Sequence, residues 1–156
     1  MERKTAEEVI REYYKTVYRL AFARMGRRED AEEVTQEVFL RFLHKAPEFT
    51  SAEHCKAWLL RVTVNCCNSL LRSAWRRKVG ELTEEILFEE TEDLLLYREL
   101  QKLPEKYRQV LHLFYYEEMS VAQIAGLLHR KESTIRTQLT RARAMLKEVL
   151  GDDYAI

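Results

Sequence analysis

Residues 119–143 read MSVAQIAGLLHRKESTIRTQLTRAR, and the fold turns on how that stretch is parsed. Ser120 and Gln123 stand three apart at the head of an apolar run, the spacing of a capping box in which each side chain satisfies an amide at a helix start. A short helix to Leu128 follows, then a tight turn at His129 to Lys131. Beyond it Ile135, Leu139, Ala142 and Leu146 recur at i, i+4, i+7 and i+11, which predicts a helix to about Val149. A short helix, a turn and a longer basic helix make a helix-turn-helix, whose second helix enters the DNA major groove. With the apolar stripe inward, steps of about 100° turn Ser133, Thr137, Thr140 and Arg141 outward, flanked by Thr134 and Arg136. Short hydroxyls let the backbone approach base edges, and arginine bonds guanine or clamps phosphate. The same pattern also fits a plain three-helix bundle with a polar outer face.

The rest of the chain is equally helical in its periodicity. Residues 6–25 carry Val9, Ile10, Tyr13, Val17, Leu20 and Ala21 on one face, and Gly26 ends that helix. A second helix is expected over about 29–45, with Val34, Val38, Phe39, Phe42 and Leu43 on its inner side and Pro47 beyond its end. The loop 47–53 leads into a third segment, about 53–78, that lacks Gly and Pro and is too long for a strand despite its Val62-Thr63-Val64 run. Further on, a helix is expected over 94–102, and Pro104 begins another over 105–116 with Tyr107, Val110, Leu111 and Phe114 buried.

With four Gly, two Pro, 33% charged and 46% apolar residues among 156, the composition suits soluble helices. The fold class expected is all-α, two small helical domains joined by an acidic linker. Domain boundaries fall at 1–78, 79–93 for the linker, and 94–150 for the helix-turn-helix. The formal net charge is zero, but its distribution is not even. Lys56, Arg61, Arg72, Arg76, Arg77 and Lys78 form an acid-free basic segment; seven acids from Glu81 to Asp93 follow without a base; between Arg130 and Lys147 six bases face only Glu132. Two basic helices divided by an acidic segment point to a polyanionic partner.

Within the third segment Arg61, Asn65, Asn68 and Arg72 share a face on which amides can read a splayed base while arginines hold its backbone. Phe49, in the loop beside that helix, is a stacking candidate for an unpaired base, whereas Trp58 reads as core. Trp75, Arg76, Arg77 and Lys78 suit phosphates. On the second helix Asp30, Glu32, Glu33 and Gln36, with an exposed edge of Phe39, make a face able to pair with basic groups of a protein partner; acids there also stabilise a helix N-terminus.

Several segments taken together resemble the extracytoplasmic-function group of sigma-70 factors. LPEKYRQVL at 103–111, MSVAQIA at 119–125 and STIRTQLTRAR at 133–143 resemble region 4 of that group; DAEEVTQEVFL at 30–40 and AWLLRVTVN at 57–65 resemble region 2. The resemblance implies a transcription initiation factor that binds core RNA polymerase and promoter DNA. It places Lys131, Ser133, Thr134, Arg136, Thr137, Thr140 and Arg141 on the minus-35 duplex. Phe49, Arg61, Asn65, Asn68, Arg72, Arg76 and Arg77 fall to the melted minus-10 element, and Asp30, Glu32, Glu33, Gln36 and Phe39 to the polymerase clamp. It also implies an anti-sigma factor as partner. The chain departs from the group at the turn, where His129 and Arg130 replace a glycine and an apolar residue and Lys131 replaces a serine cap. A left-handed His129 is expected to cost about 1 kcal/mol.

Other classes find less support. A stand-alone regulator would need a ligand or receiver domain, and residues 1–78 show no βα alternation; a helical adaptor would bind protein alone. No Gly-rich phosphate loop or nucleophile–base set suggests an enzyme. His54, Cys55, Cys66 and Cys67 lack metal-ligand spacing, so neither metal nor cofactor is expected. The thiols are expected to be reduced in a cytoplasmic protein without membrane insertion.

Overall fold

The computed structural model describes residues 4–73 and 101–150, with 149 and 150 as backbone only. The chain divides into two compact units, Met1–Leu87 and Phe88–Ile156. All regular structure among the described residues is helical: α1 (Ala6–Met25), α2 (Arg28–Lys45) and α3 (Ala52–Ser73) in the first unit, then α4 (Glu105–Leu111), a π turn (His112–Tyr116), α5 (Val121–Leu128) and α6 (Glu132–Leu150) in the second.

Helix α1 opens on a capping box, the Thr5 hydroxyl accepting from the Glu8 amide and the Glu8 carboxylate from the Thr5 amide. It closes at Gly26, whose φ of 76° is left-handed backbone that glycine adopts without strain. Val9, Tyr13, Val17, Leu20 and Ala21 are buried as their spacing requires, with Ile10 half-buried at the edge of the stripe. Val34, Val38, Phe39 and Phe42 bring α2 against α1 and α3. Leu43 does not join them. It is 50% exposed, because one further residue beyond Phe42 rotates the side chain about 100°, past the edge of the buried stripe.

Helix α3 lays Leu59, Leu60, Val64 and all three thiols into the same core. The strand-like Val62-Thr63-Val64 run is helical there, as length required. Two buried threonines remain satisfied within their own helices: Thr35 donates to the Ala31 carbonyl at 2.7 Å and Thr63 to the Leu59 carbonyl at 2.6 Å. Each fully buried Leu or Val in this core contributes about 1.5–3 kcal/mol relative to exposure. The third helix expected beyond Ser73, the linker at 79–93 and nearly all of the helix expected at 94–102 lie outside the described residues; Gln101 and Lys102 form a turn.

The second unit corrects one expectation. Helix 105–116 does not stay α-helical: the Glu117 amide donates to the His112 carbonyl, five residues back, at 3.1 Å. This widened turn holds an extra residue and shifts the register after Leu111. His112 and Leu113 are therefore buried, and Phe114, expected in the core, is half-buried instead. Helix α5 begins with the capping box read from the sequence, the Ser120 hydroxyl accepting from the Gln123 amide at 3.1 Å and Gln123 Oε1 from the Ser120 amide at 2.9 Å. His129 ends it in left-handed backbone, φ 56° and ψ 48°. Ile135, Leu139, Ala142 and Leu146 on α6 close a core with Ile124, Leu127, Val110 and Leu113.

Candidate functional site

The outer face of α6 is as the helical wheel requires. Lys131, Ser133, Thr134, Arg136, Thr137, Thr140 and Arg141 are all exposed. The Thr137 hydroxyl donates to the Ser133 carbonyl and that of Thr140 to the Arg136 carbonyl, both at 3.0 Å. Each thus offers oxygen lone pairs and a methyl group outward. Arg136 lies 3.7 Å from Glu132, one turn back, a surface pair weak enough for a phosphate or base edge to replace. In the turn, Arg130 donates to Gln138 Oε1 at 3.2 Å, tying the irregular backbone after α5 to α6. Arg143, one of the six bases between Arg130 and Lys147, is half-buried against the π turn.

A second group gathers at α3 and the loop before it. Arg61, Asn65 and Arg72 are exposed and Asn68 is half-buried on the same face. The Asn68 carboxamide oxygen accepts from Arg24 Nη2 at 3.1 Å. Arg24 was not legible as part of this group, because it stands 44 residues earlier, on α1. Phe49 is half-buried, its ring 5.2 Å from His54, 6.0 Å from Trp58 and 6.4 Å from Phe42. Trp58 is half-buried too, so it is only partly the core residue expected. The Phe49 loop walls a cleft of about 580 Å³ that Lys4, Tyr13, Phe42, Thr50 and Cys55 also line. Arg76, Arg77, Trp75 and Lys78 lie outside the described residues.

On α2 the predicted face needs correcting. Glu33 and Gln36 are exposed, and Glu32 is half-buried with an ion pair to Arg28 at 3.0 Å. Asp30 and Phe39 are each only 6% exposed. Phe39 shows no free edge, since its ring stacks on Tyr14 with centroids 6.1 Å apart and its position falls on the inner stripe with Val38 and Phe42. Two leucines take its place outside: Leu40 is 61% exposed and Leu43 50%. Glu33, Gln36, Glu37 and Leu40 follow i, i+3, i+4, i+7 spacing, and Leu43 lies one turn from Leu40 on the Gln36 side. Leu40 was missed because its neighbours suggested the core; an exact 3.6-residue wheel anchored on Val34 and Val38 would have turned it outward. Behind this face runs a groove between α2 and α3, lined by Glu33, Glu37, Arg41, Cys66 and Leu70.

Cys55, Cys66 and Cys67 are free and buried. Burial pushes the Cys55 and Cys66 thiols above their ordinary range and the Tyr18 phenol up to about 12. Among the described residues no group of His, Cys, Asp or Glu is arranged to hold a metal, and no helix is long and apolar enough to cross a membrane.

Comparison with known proteins covers both units. Residues 9–77 match the family model for sigma-70 region 2, and residues 93–146 that for sigma-70 region 4. The chain is 27% identical to the ECF RNA polymerase sigma factor SigE of Mycolicibacterium smegmatis over 93% of its own length and 61% of that protein's. It is 25% identical to the ECF RNA polymerase sigma factor SigW of Bacillus subtilis, covering 93% of this chain and 88% of SigW. In fold it is similar to the sigma factor RpoE solved with the anti-sigma factor NepR from Bartonella quintana: TM-score 0.77, 20% identity, 95% of this chain and 98% of that one. Two family models in the expected order span most of the sequence, and curated relatives match along nearly all of it. The chain belongs to the extracytoplasmic-function group of the sigma-70 family, a family of promoter-specific transcription initiation factors.

Proposed function

We propose that this chain directs core RNA polymerase to its promoters by dividing the work among three surfaces. The α2 face of Glu33, Gln36, Leu40 and Leu43 docks on the polymerase clamp. The Phe49 loop with Arg61, Asn65, Asn68 and Arg72 holds the melted minus-10 strand. Lys131 at the end of the turn and Ser133, Thr134, Arg136, Thr137, Thr140 and Arg141 on α6 read the minus-35 duplex. Residues 1–78 and 94–150 act as the two binding domains, with 79–93 as linker; the chain works in the cytoplasm without catalysis or a cofactor.

The observation that carries the reading is the outer face of α6. Six polar or basic side chains, with Lys131 in the turn just before them, turn to solvent on a helix whose opposite side is seated on α4 and α5, which is what a helix must offer to enter a groove. Because RpoE is held by an anti-sigma factor in its structure, an anti-sigma factor is assigned to this chain as well, competing for the α2 face.

Transcription in vitro with core enzyme on a promoter library tests the division. Arg136→Ala and Thr137→Ala should each change which upstream sequences are used, by about 1–3 kcal/mol per lost base contact. Alanine at Phe49 or Asn65 should hurt a closed duplex more than a template with a pre-opened bubble. No dependence on the promoter in any of these variants would leave a protein-binding adaptor as the better account. Tight promoter binding by the chain without core enzyme would instead favour a stand-alone regulator.

A further inference from the structure

Asparagine is the one side chain of the α3 face whose readout depends on which way round it sits. With its oxygen outward it accepts hydrogen bonds from the amino groups of bases; with its nitrogen outward it donates to ring nitrogens and carbonyl oxygens. A solvated asparagine samples both and discriminates poorly. Asn65, exposed one turn before Asn68, has that freedom.

Asn68 does not. Its Oδ1 accepts from Arg24 Nη2 at 3.1 Å, and a guanidinium has donors only, so the opposite orientation would set –NH2 against –NH2. The carboxamide is held in one sense. Its Nδ2 is not sealed from solvent and has no hydrogen-bond partner among the described residues. Arg24 is in turn restrained: it is half-buried and stands in the last turn of α1, where the helix dipole favours a cation.

We propose that Arg24 is a positioning residue that locks Asn68 with its amide N–H groups outward, so that this side chain reads a base acceptor at one position of the opened minus-10 strand. The proposal rests on the assignment of α3 to the minus-10 element. Arg24 itself need not touch DNA; it acts by removing one of the two orientations of Asn68, which turns an ambivalent polar contact into a selective one.

The test is run with the full chain and core enzyme on promoters pre-opened at the minus-10 element, each base varied in turn, so that base preference is read apart from melting. Asn68→Ala should abolish the preference at one position. Arg24→Ala should reduce discrimination at that same position at least about 5-fold, the loss expected of a single oriented base contact, and leave the other positions alone. In the Asn68→Ala background, Arg24→Ala should change the preference no further. Asn68→Asp keeps an acceptor for Arg24 and removes the donors, so it should retain native helicity while losing preference for acceptor-bearing bases. An even loss across all promoters with Arg24→Ala, additive with Asn68→Ala, would show a mere tie between α1 and α3 and overturn the proposal. If Asn68→Ala shifts a preference that Arg24→Ala leaves intact, the positioning role alone fails. If Asn68→Ala shifts none, the minus-10 assignment of Asn68 falls, and the proposal with it.

Discussion

Arg143 on α6 donates its Nε–H to the Tyr115 hydroxyl at 2.6 Å. The same guanidinium lies 5.3 Å from the centroid of the Phe114 ring and 5.6 Å from that of Tyr115, so the π turn and α6 are fastened together. Arg143→Ala should therefore destabilise the second unit by about 1–2 kcal/mol, combining cation–π contacts with one hydrogen bond. Lysine should rescue little of it, having no planar face to lay on the rings and no fixed fork. Tyr115→Phe should lose only the hydrogen-bond share. Urea unfolding followed by far-UV circular dichroism measures all three; midpoints equal to the parent's would mean that the clasp contributes nothing.

The left-handed turn at His129 makes a stability prediction of opposite sign. A side chain at φ 56° is strained by about 1 kcal/mol, and glycine relieves that strain while losing some chain entropy on folding. His129→Gly should raise stability by up to about 1 kcal/mol. A lower melting temperature for this variant would show that the imidazole makes a contact worth more than the strain.

On α2 the expected split is between binding and folding. Leu40→Asp and Leu43→Asp alter exposed side chains and should preserve helicity while weakening core polymerase binding at least tenfold, as should reversal of Glu33 combined with Gln36→Ala. Phe39→Ala should instead cost about 3–5 kcal/mol of stability, because it empties a buried, stacked position. Titration of core enzyme against labelled chain, beside thermal melts, separates the two. Retained affinity in Leu40→Asp would remove the leucines from the docking face.

The thiols carry a pH prediction. Burial holds Cys55 and Cys66 above the ordinary thiol range, so at neutral pH both are protonated and shielded. Their folded values are the raised ones. Any stability they contribute is therefore complete below the ordinary thiol range and is lost as pH rises through the folded values. Labelling by an aromatic disulfide reagent at neutral pH should be slow in the native chain and fast in denaturant. Rapid native labelling of either residue would contradict the burial.

The helix-turn-helix was legible because each of its parts has a local chemical cause: Ser120 with Gln123 for the start of α5, and a four-residue stripe for the inner side of α6. The α1 stripe and its Gly26 stop were legible for the same reason. What the sequence hid depends on register or on distance along the chain. Phe114 was misplaced because no local signal marks a turn that swaps an i−4 hydrogen bond for an i−5 one. Phe39 and Leu40 are adjacent apolar residues, and only their angle about the helix axis decides which is buried. Arg24 meets Asn68 through the packing of α1 on α3, which no short window of sequence contains. Arg61, Asn65, Asn68 and Arg72, expected at the minus-10 element, do share a face, but the orientation of one amide was beyond reach.

The widened turn at His112–Tyr116 also bears on how this chain should be aligned with its relatives. The segment carries one residue more than its axial rise requires, so a family member that is one residue shorter here can keep α4 and α6 in place by closing the turn into regular α-helix. Any gap in such an alignment belongs inside 112–116. Setting it at the loop after Glu117 would slide Leu113 against the wrong neighbour and give the partner of Arg143 the wrong name.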